Sequence, residues 1–165
     1  MSFKTVAIDF DGVIHKYSKG WQDGTIYDLP VPGAIGAINA LLKADYSVFI
    51  FSTRGPKQIK KWLREHHSNQ LLYMSQADFM DQYYPMTTID QAIINAEEDA
   101  TVKLQYKIKC VSVWEKFWNE KGILGVTNKK LPANVYVDDR GYKFEGSWVD
   151  TIAAIEGFKT YQNAT

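Results

Sequence analysis

"VAIDFDGVIH", residues 6–15, sets two carboxylates, Asp9 and Asp11, one residue apart directly behind a mostly apolar run. Residues 4–8 (KTVAI) have the length and apolar character of a short buried strand, and Asp9 to Gly12 reads as the loop leaving it. Two like charges at short range repel, so such a strand end calls for something that offsets the repulsion. The theme returns near the other terminus, where "NVYV" (134–137) runs into Asp138 and Asp139.

Between these two ends the chain alternates strand-like and helix-like segments. Residues 12–32 carry Gly12, Gly20, Gly24, Pro30 and Pro32 with Tyr17, Trp21 and Tyr27 among them, the punctuation of a long loop or small hairpin. Pro32 suits a first helical turn, and Ala34, Ile38, Leu41 and Leu42 follow at helical spacing. "SVFIF" (47–51) is the next strand, ending in "STRGP"; "KQIKKWLREHH" then places Ile59, Trp62 and Leu63 on one helical face. "GILGV" (122–126) is a further apolar run, and "WVDTIAAIEGF" looks helical. Strands alternating with helices predict a parallel α/β sheet.

The stretch 70–121 fits this alternation poorly. "TIDQAIINAEED" reads as a helix whose Thr88 and Gln91 have capping-box spacing. Residues 102–109 alternate like a half-buried strand, although Leu104, Ile108, Val111, Trp114 and Trp118 also form a helical stripe; the β-branched residues favour strand there, then helix through "VWEKFWNEKG".

The 165-residue length suits one domain with a real core, and 45% hydrophobic content with 8 Phe, 10 Tyr and 5 Trp supports a folded globule. Lys plus Arg equals Asp plus Glu at 19 each, so no whole-chain nucleic-acid footprint is present, and nucleic acid is not the expected partner. A single cysteine, Cys110, excludes an internal disulfide and a cysteine-based zinc site and fits a reducing compartment. No run approaches the roughly 18 apolar residues of a membrane span. The early strand is expected to leave no room for a signal peptide, so the expected location is cytoplasmic, with no membrane partner.

In a doubly wound sheet, ligands bind at the carboxyl ends of the strands. This sequence puts Asp9 and Asp11 at one such end, Ser52 and Thr53 at another, and Asp138 and Asp139 at a third, with Lys129 and Lys130 just ahead of that last strand. Four carboxylates in one crevice demand a cation, and Mg²⁺ is the natural one, since it prefers oxygen ligands and shares its shell with substrate phosphate. One Asp of the D-x-D can then attack phosphorus while the other handles the proton. A hydroxyl and a lysine would hold the phosphoryl oxygens.

"DFDGV", "FS" after an apolar strand, a lysine ahead of the last strand and "VYVDD" together resemble the four motifs of the haloacid dehalogenase (HAD) superfamily of phosphohydrolases. The resemblance spans residues 4–65 and 122–158. It implies a three-layer, HAD-like (Rossmann-like), doubly wound parallel sheet forming a single domain over 1–165. It further implies a short flap at 13–31 and a small cap-like insertion at about 70–121. By that resemblance Asp9 is the nucleophile that forms an aspartyl-phosphate, and Asp11 is the general acid and then the base for the hydrolytic water. Ser52 matches the second motif, and Lys130 the third, with Lys129 its close competitor. Asp9, Asp138 and the main-chain carbonyl of Asp11 would bind Mg²⁺ directly, and Asp139 directly or through water. Gly12, Thr53, Arg54 and Lys129 would border the substrate.

The expected activity is therefore Mg²⁺-dependent hydrolysis of a small phosphorylated metabolite or nucleotide. The flap aromatics Tyr17, Trp21 and Tyr27 are able to stack on a flat ligand. The rival reading is a binding protein that sequesters a phosphorylated nucleotide signal with little or no turnover; a phosphatase for nucleic-acid ends would want a basic groove. His15 is expected in solvent on its loop. His66 and His67 are expected to close a helix against its dipole, and Arg54 and Arg140 suit either an anion clamp or a structural ion pair. The middle aromatics (Tyr83, Tyr84, Trp114, Phe117, Trp118) read as core or contact between copies of a homo-oligomer. Lys103, Lys107 and Lys109 read as a solvated face and Cys110 as a buried small hydrophobe.

Overall fold

A computed structural model describes residues 4–67, 72–83, 113–141 and 143–157. Five parallel strands make one sheet in the order β3-β4-β2-β1-β5: β1 Thr5–Asp9, β2 Ser47–Phe51, β3 Leu72–Ser75, β4 Ile123–Thr127 and β5 Val135–Val137. The helices are α1 Ala34–Lys43, α2 Pro56–His66, α3 Gln76–Tyr83, α4 at 113–119 and α5 Trp148–Gly157.

The period-2 alternation of a strand sends successive side chains to opposite faces, and each face here has its own apolar cluster. Val6, Ile8, Val48, Ile50, Tyr73, Leu124 and Val126 pack with Ile38 of α1 and Ile59, Trp62 and Leu63 of α2. Ala7, Phe49, Met74 and Ile123 pack on the other face with Phe79 of α3 and Val113 and Phe117 of α4. Helices therefore cover both faces of the sheet, as the βαβ alternation requires. α2 starts at Pro56, whose fixed φ and missing N–H suit a first helical position, whereas α1 starts at Ala34 behind Gly33, two residues past Pro32.

The stretch 70–121 differs from its expected standing as an insertion. β3 lies inside it and pairs with β4 in the main sheet, and α3 and α4 supply core residues. Strand β3 carries no signature in the sequence, because "LYMS" is only four residues long and runs straight into a helix. The expected helix at 88–99, the strand pattern at 102–109, Tyr84, Lys103, Lys107, Lys109 and Cys110 lie outside the described residues. "VYV" also departs from expectation: the run is apolar, yet β5 is an exposed edge strand. No helix among the described residues is long and apolar enough to cross a membrane.

The chain leaves β1 toward β2 on one side, and β5 joins β1 on the other. The point where strand order reverses is the place where an open parallel sheet leaves a crevice at its carboxyl edge.

Candidate active site

β1 delivers Asp9 to that crevice, and the turn after β5 delivers Asp138 and Asp139. One carboxylate oxygen from each of these three residues lies within 4.8 Å of the others. Asp139 is the most unusual of them. Its side chain is 1% exposed, and neither of its oxygens has a hydrogen-bond partner among the described residues. The nearest cation is Arg140, with Nε 3.6 Å from Oδ1, too far for a hydrogen bond. Burial pushes the Asp139 carboxyl above the usual carboxylate range, and the neighbouring Asp138 adds to the rise while Arg140 opposes it. Asp138 is exposed, and its Oδ1 accepts the Arg140 N–H at 2.7 Å.

Asp9 is pushed up to about 6, first by burial and then by the charges of Asp138, Asp139 and Asp11, against a lowering contribution from the Phe10 N–H. Asp9 and Asp139 are both raised by burial and by the charge of Asp138, and Asp139 is buried without a donor, an arrangement that suits a hard cation with oxygen ligands. The residues thus fit the expected Mg²⁺.

The Asp11 carboxylate faces elsewhere. Its Oδ1 lies 2.8 Å from Nδ1 of His15, and its Oδ2 accepts from Nε of Arg54 at 2.6 Å. Burial raises its pKa, but the His15 and Arg54 hydrogen bonds outweigh that, and the carboxyl sits below the usual range. Its carboxylate is not among the three that converge.

A tight turn explains how His15 reaches back to Asp11. The N–H groups of Ile14 and His15 both donate to the Phe10 carbonyl, at 3.0 and 2.8 Å, and Gly12, at φ 91°, donates to the His15 carbonyl at 2.8 Å. His15 is 0% exposed, not in solvent as its loop position suggested. The available signal was its i, i+4 spacing from Asp11 across a glycine.

Arg54 is likewise buried, at 4% exposure, and works as an ion pair. Beyond Asp11 it donates from a terminal guanidinium nitrogen to the Gly24 carbonyl at 2.6 Å. Its guanidinium carbon lies 5.1 Å from the Trp21 ring centroid and 5.8 Å from that of Tyr17. The flap at 13–31 is thereby pinned at its tip by Arg54. At its base Lys16 donates to the Leu29 carbonyl and Val31 to that of Ile14.

Ser52 is buried at the end of β2, its N–H donating to the Thr127 carbonyl at 3.0 Å and its Oγ accepting the Arg54 N–H at 3.3 Å. A hydroxyl that accepts there keeps its own proton for another acceptor. Thr53 is exposed beside it. Lys129 and Lys130 follow β4 on the same sheet edge, both exposed. The ammonium of Lys129 sits 5.0 Å from the Trp114 ring centroid, and that of Lys130 sits 5.4 Å from the Tyr136 ring centroid. His66 and His67 stay structural: His66 stacks on Trp62, and His67 contacts Asn39 and Tyr73.

The structure therefore brings together Asp9, Asp138 and Asp139, and separately Asp11 with Arg54 and His15. Among the described residues, Lys129 and Lys130 lie over the Trp114 and Tyr136 rings, with no ion pair to these carboxylates. Compared with known proteins, the chain matches no family model, no curated protein and no solved structure.

Proposed function

We propose that the protein is a Mg²⁺-dependent phosphatase of HAD type, acting on a small phosphorylated metabolite or nucleotide. The observation that carries this reading is the convergence of Asp9, Asp138 and Asp139, with the Asp139 carboxylate buried and undonated. Asp9, Asp138 and Asp139 would hold the ion, with the Asp11 main-chain carbonyl, and the ion would supply charge neutralisation for an incoming phosphoryl group. Its neutralising charge would also return Asp9 to the carboxylate a nucleophile must be.

The chain's own residues then share the work. An Asp9 oxygen attacks phosphorus and forms a P–O bond. The bond to the leaving oxygen breaks with its electron pair on that oxygen, which takes a proton from the Asp11 carboxyl. A water then attacks the aspartyl-phosphate, its proton goes to Asp11, and the Asp9–phosphorus bond breaks to release inorganic phosphate. Ser52, Thr53, Arg54 and one of Lys129 and Lys130 would hold the phosphoryl oxygens. The Gly12 N–H already donates to the His15 carbonyl, so Gly12 would border the substrate only by leaving room for it. The single cysteine suits work in the cytoplasm.

One observation favours a second reading. Asp11 accepts at both oxygens and is held below the usual carboxylate range. A carboxyl so held is a poor proton donor until one partner lets go, which suits a binding protein that sequesters a phosphorylated nucleotide and turns it over slowly or not at all.

Phosphate release with Mg²⁺ across nucleotides and sugar phosphates separates the two, with Asp9→Asn as control. Turnover that requires Mg²⁺ and vanishes in Asp9→Asn supports the phosphatase. Absence of turnover on every compound, with tight nucleotide binding shared by wild type and variant, overturns it in favour of the binder.

A further inference from the structure

His15 is wholly buried, and its ring is fixed on all sides. Phe10 stacks on it with centroids 5.4 Å apart and planes 18° apart, while Tyr27 and Trp62 meet it edge-on at 5.2 and 5.9 Å. Its Nε2 lies 3.0 Å from the Asp28 backbone nitrogen. A backbone N–H only donates, so Nε2 carries the lone pair, and the neutral ring must hold its proton on Nδ1. That proton points at Asp11 Oδ1, 2.8 Å away.

We infer that His15 is a positioning residue for Asp11. It holds Oδ1 in place so that Oδ2 is the atom that exchanges the proton, an assignment that rests on the phosphatase reading above. Oδ2 is bound by Arg54, which also has the Gly24 carbonyl and the rings of Tyr17 and Trp21 as partners. When the ester oxygen takes the place of Arg54 at Oδ2, the Oδ1 contact persists, because the His15 ring has no room to turn. As Arg54 leaves, Oδ2 takes up a proton from water, and Oδ2–H then gives that proton to the ester oxygen as the P–O bond breaks. Oδ2 recovers a proton from the water that attacks the aspartyl-phosphate. Asp28 sits at the far end of the flap, so the same ring ties the flap base to Asp11.

The test compares two monoesters in the full-length protein with Mg²⁺: p-nitrophenyl phosphate, whose leaving group needs little protonation, and glycerol phosphate, whose alkoxide needs a great deal. In His15→Ala, kcat/KM on glycerol phosphate, which reports the step that breaks the ester bond, is expected to fall about 10- to 100-fold, because a misplaced acid loses most of its benefit. On p-nitrophenyl phosphate kcat/KM should fall less than about 3-fold by the same argument. The later hydrolysis of the aspartyl-phosphate is common to both esters and leaves this comparison untouched. His15→Asn, which keeps an N–H near the Nδ1 position, should restore most of the glycerol phosphate kcat/KM. Equal losses of kcat/KM on both esters, no loss on either, or an Asn variant as impaired as Ala would overturn the assignment.

Ring nitrogen NMR of the unmodified protein gives a readout that survives a variant failing to fold. A protonated Nδ1 and bare Nε2 are expected, and the opposite tautomer overturns the proposal. Wild type that hydrolyses neither ester sinks the phosphatase reading, and the catalytic half of this proposal with it. The tautomer then still decides whether His15 orients Asp11.

Discussion

Phe49 of β2 faces Gly125 of β4 across the parallel ladder, and its ring fills the space where a side chain at 125 would begin. A Cβ there would fall on the Phe49 ring carbons, which are themselves packed edge-on against Phe117. Gly125→Ala is therefore expected to destabilise the fold by about 1–3 kcal/mol through overpacking. Thermal unfolding should show the midpoint falling by roughly 3–10 °C; an unchanged midpoint would mean the ring relocates freely.

Asp9 carries a charge penalty that metal-free protein should reveal. Its folded pKa of about 6 exceeds the ordinary 3.8, so the folded state binds this proton more tightly than the unfolded chain between those values. The stabilisation is full below 3.8 and is lost as pH rises through about 6. Asp9→Asn removes the charge. Without divalent ions at pH 7.5 it should be more stable than wild type by about 1 kcal/mol after allowance for solvent screening, or about 2–4 °C. The advantage should vanish as pH falls toward 4. A variant less stable than wild type at pH 7.5 would contradict the crowding of charge at this site.

Magnesium should reverse that order. Millimolar Mg²⁺ is expected to raise the wild-type midpoint by a mass-action amount that grows with ion concentration. The increase should shrink strongly in Asp9→Asn, Asp138→Asn and Asp139→Asn, and remain in Arg140→Ala. Because protons compete for Asp9, the Mg²⁺ effect should weaken as pH drops below about 6. Differential scanning fluorimetry with and without chelator checks all of this.

Arg54 and Arg140 each adjoin a carboxylate, yet their substitution should differ in cost. Arg54 is buried against Asp11 and holds the flap through Gly24, whereas Arg140 is largely exposed. Arg54→Ala should cost about 2–4 kcal/mol, since it strands a half-buried carboxylate. Arg140→Ala should cost no more than about 1 kcal/mol. The Asp11 contribution carries the opposite pH sign to that of Asp9. Its folded pKa is lowered, so its stabilisation is present above the ordinary carboxylate value and is lost as pH falls through the folded one. Flap cleavage by a protease between Lys19 and Asp28 should also speed up in Arg54→Ala.

Much of the sheet was legible because buried parallel strands are apolar runs. β2 falls on "SVFIF", and β1 and β4 fall within a residue of their runs. The convergence of Asp9 with Asp138 and Asp139 followed from placing strand ends on one edge, which needs only parallel topology. The destination of Asp11 did not follow. Its partner Arg54 lies 43 residues away, and the turn that buries His15 is a matter of backbone hydrogen bonds rather than residue pattern. Nor did the lysine doublet resolve, since both members are exposed beside aromatic rings. Strand β3 was hidden for the simplest reason: four residues are too few to display a period.

β5 is three residues long, lies at the sheet edge and pairs with β1 alone. Two of the three converging carboxylates hang from its end, on the strand with the fewest ladder bonds to lose. An ion gripped by Asp9 on one side and Asp138 and Asp139 on the other would act as a rivet across that seam. Asn134 donates to the Thr5 carbonyl, so the alternation of a parallel ladder turns the Tyr136 N–H toward β1 as well. Amide hydrogen exchange at Tyr136 should then be fast in chelator and slow in Mg²⁺, so the outermost strand would report occupancy by how seldom it frays.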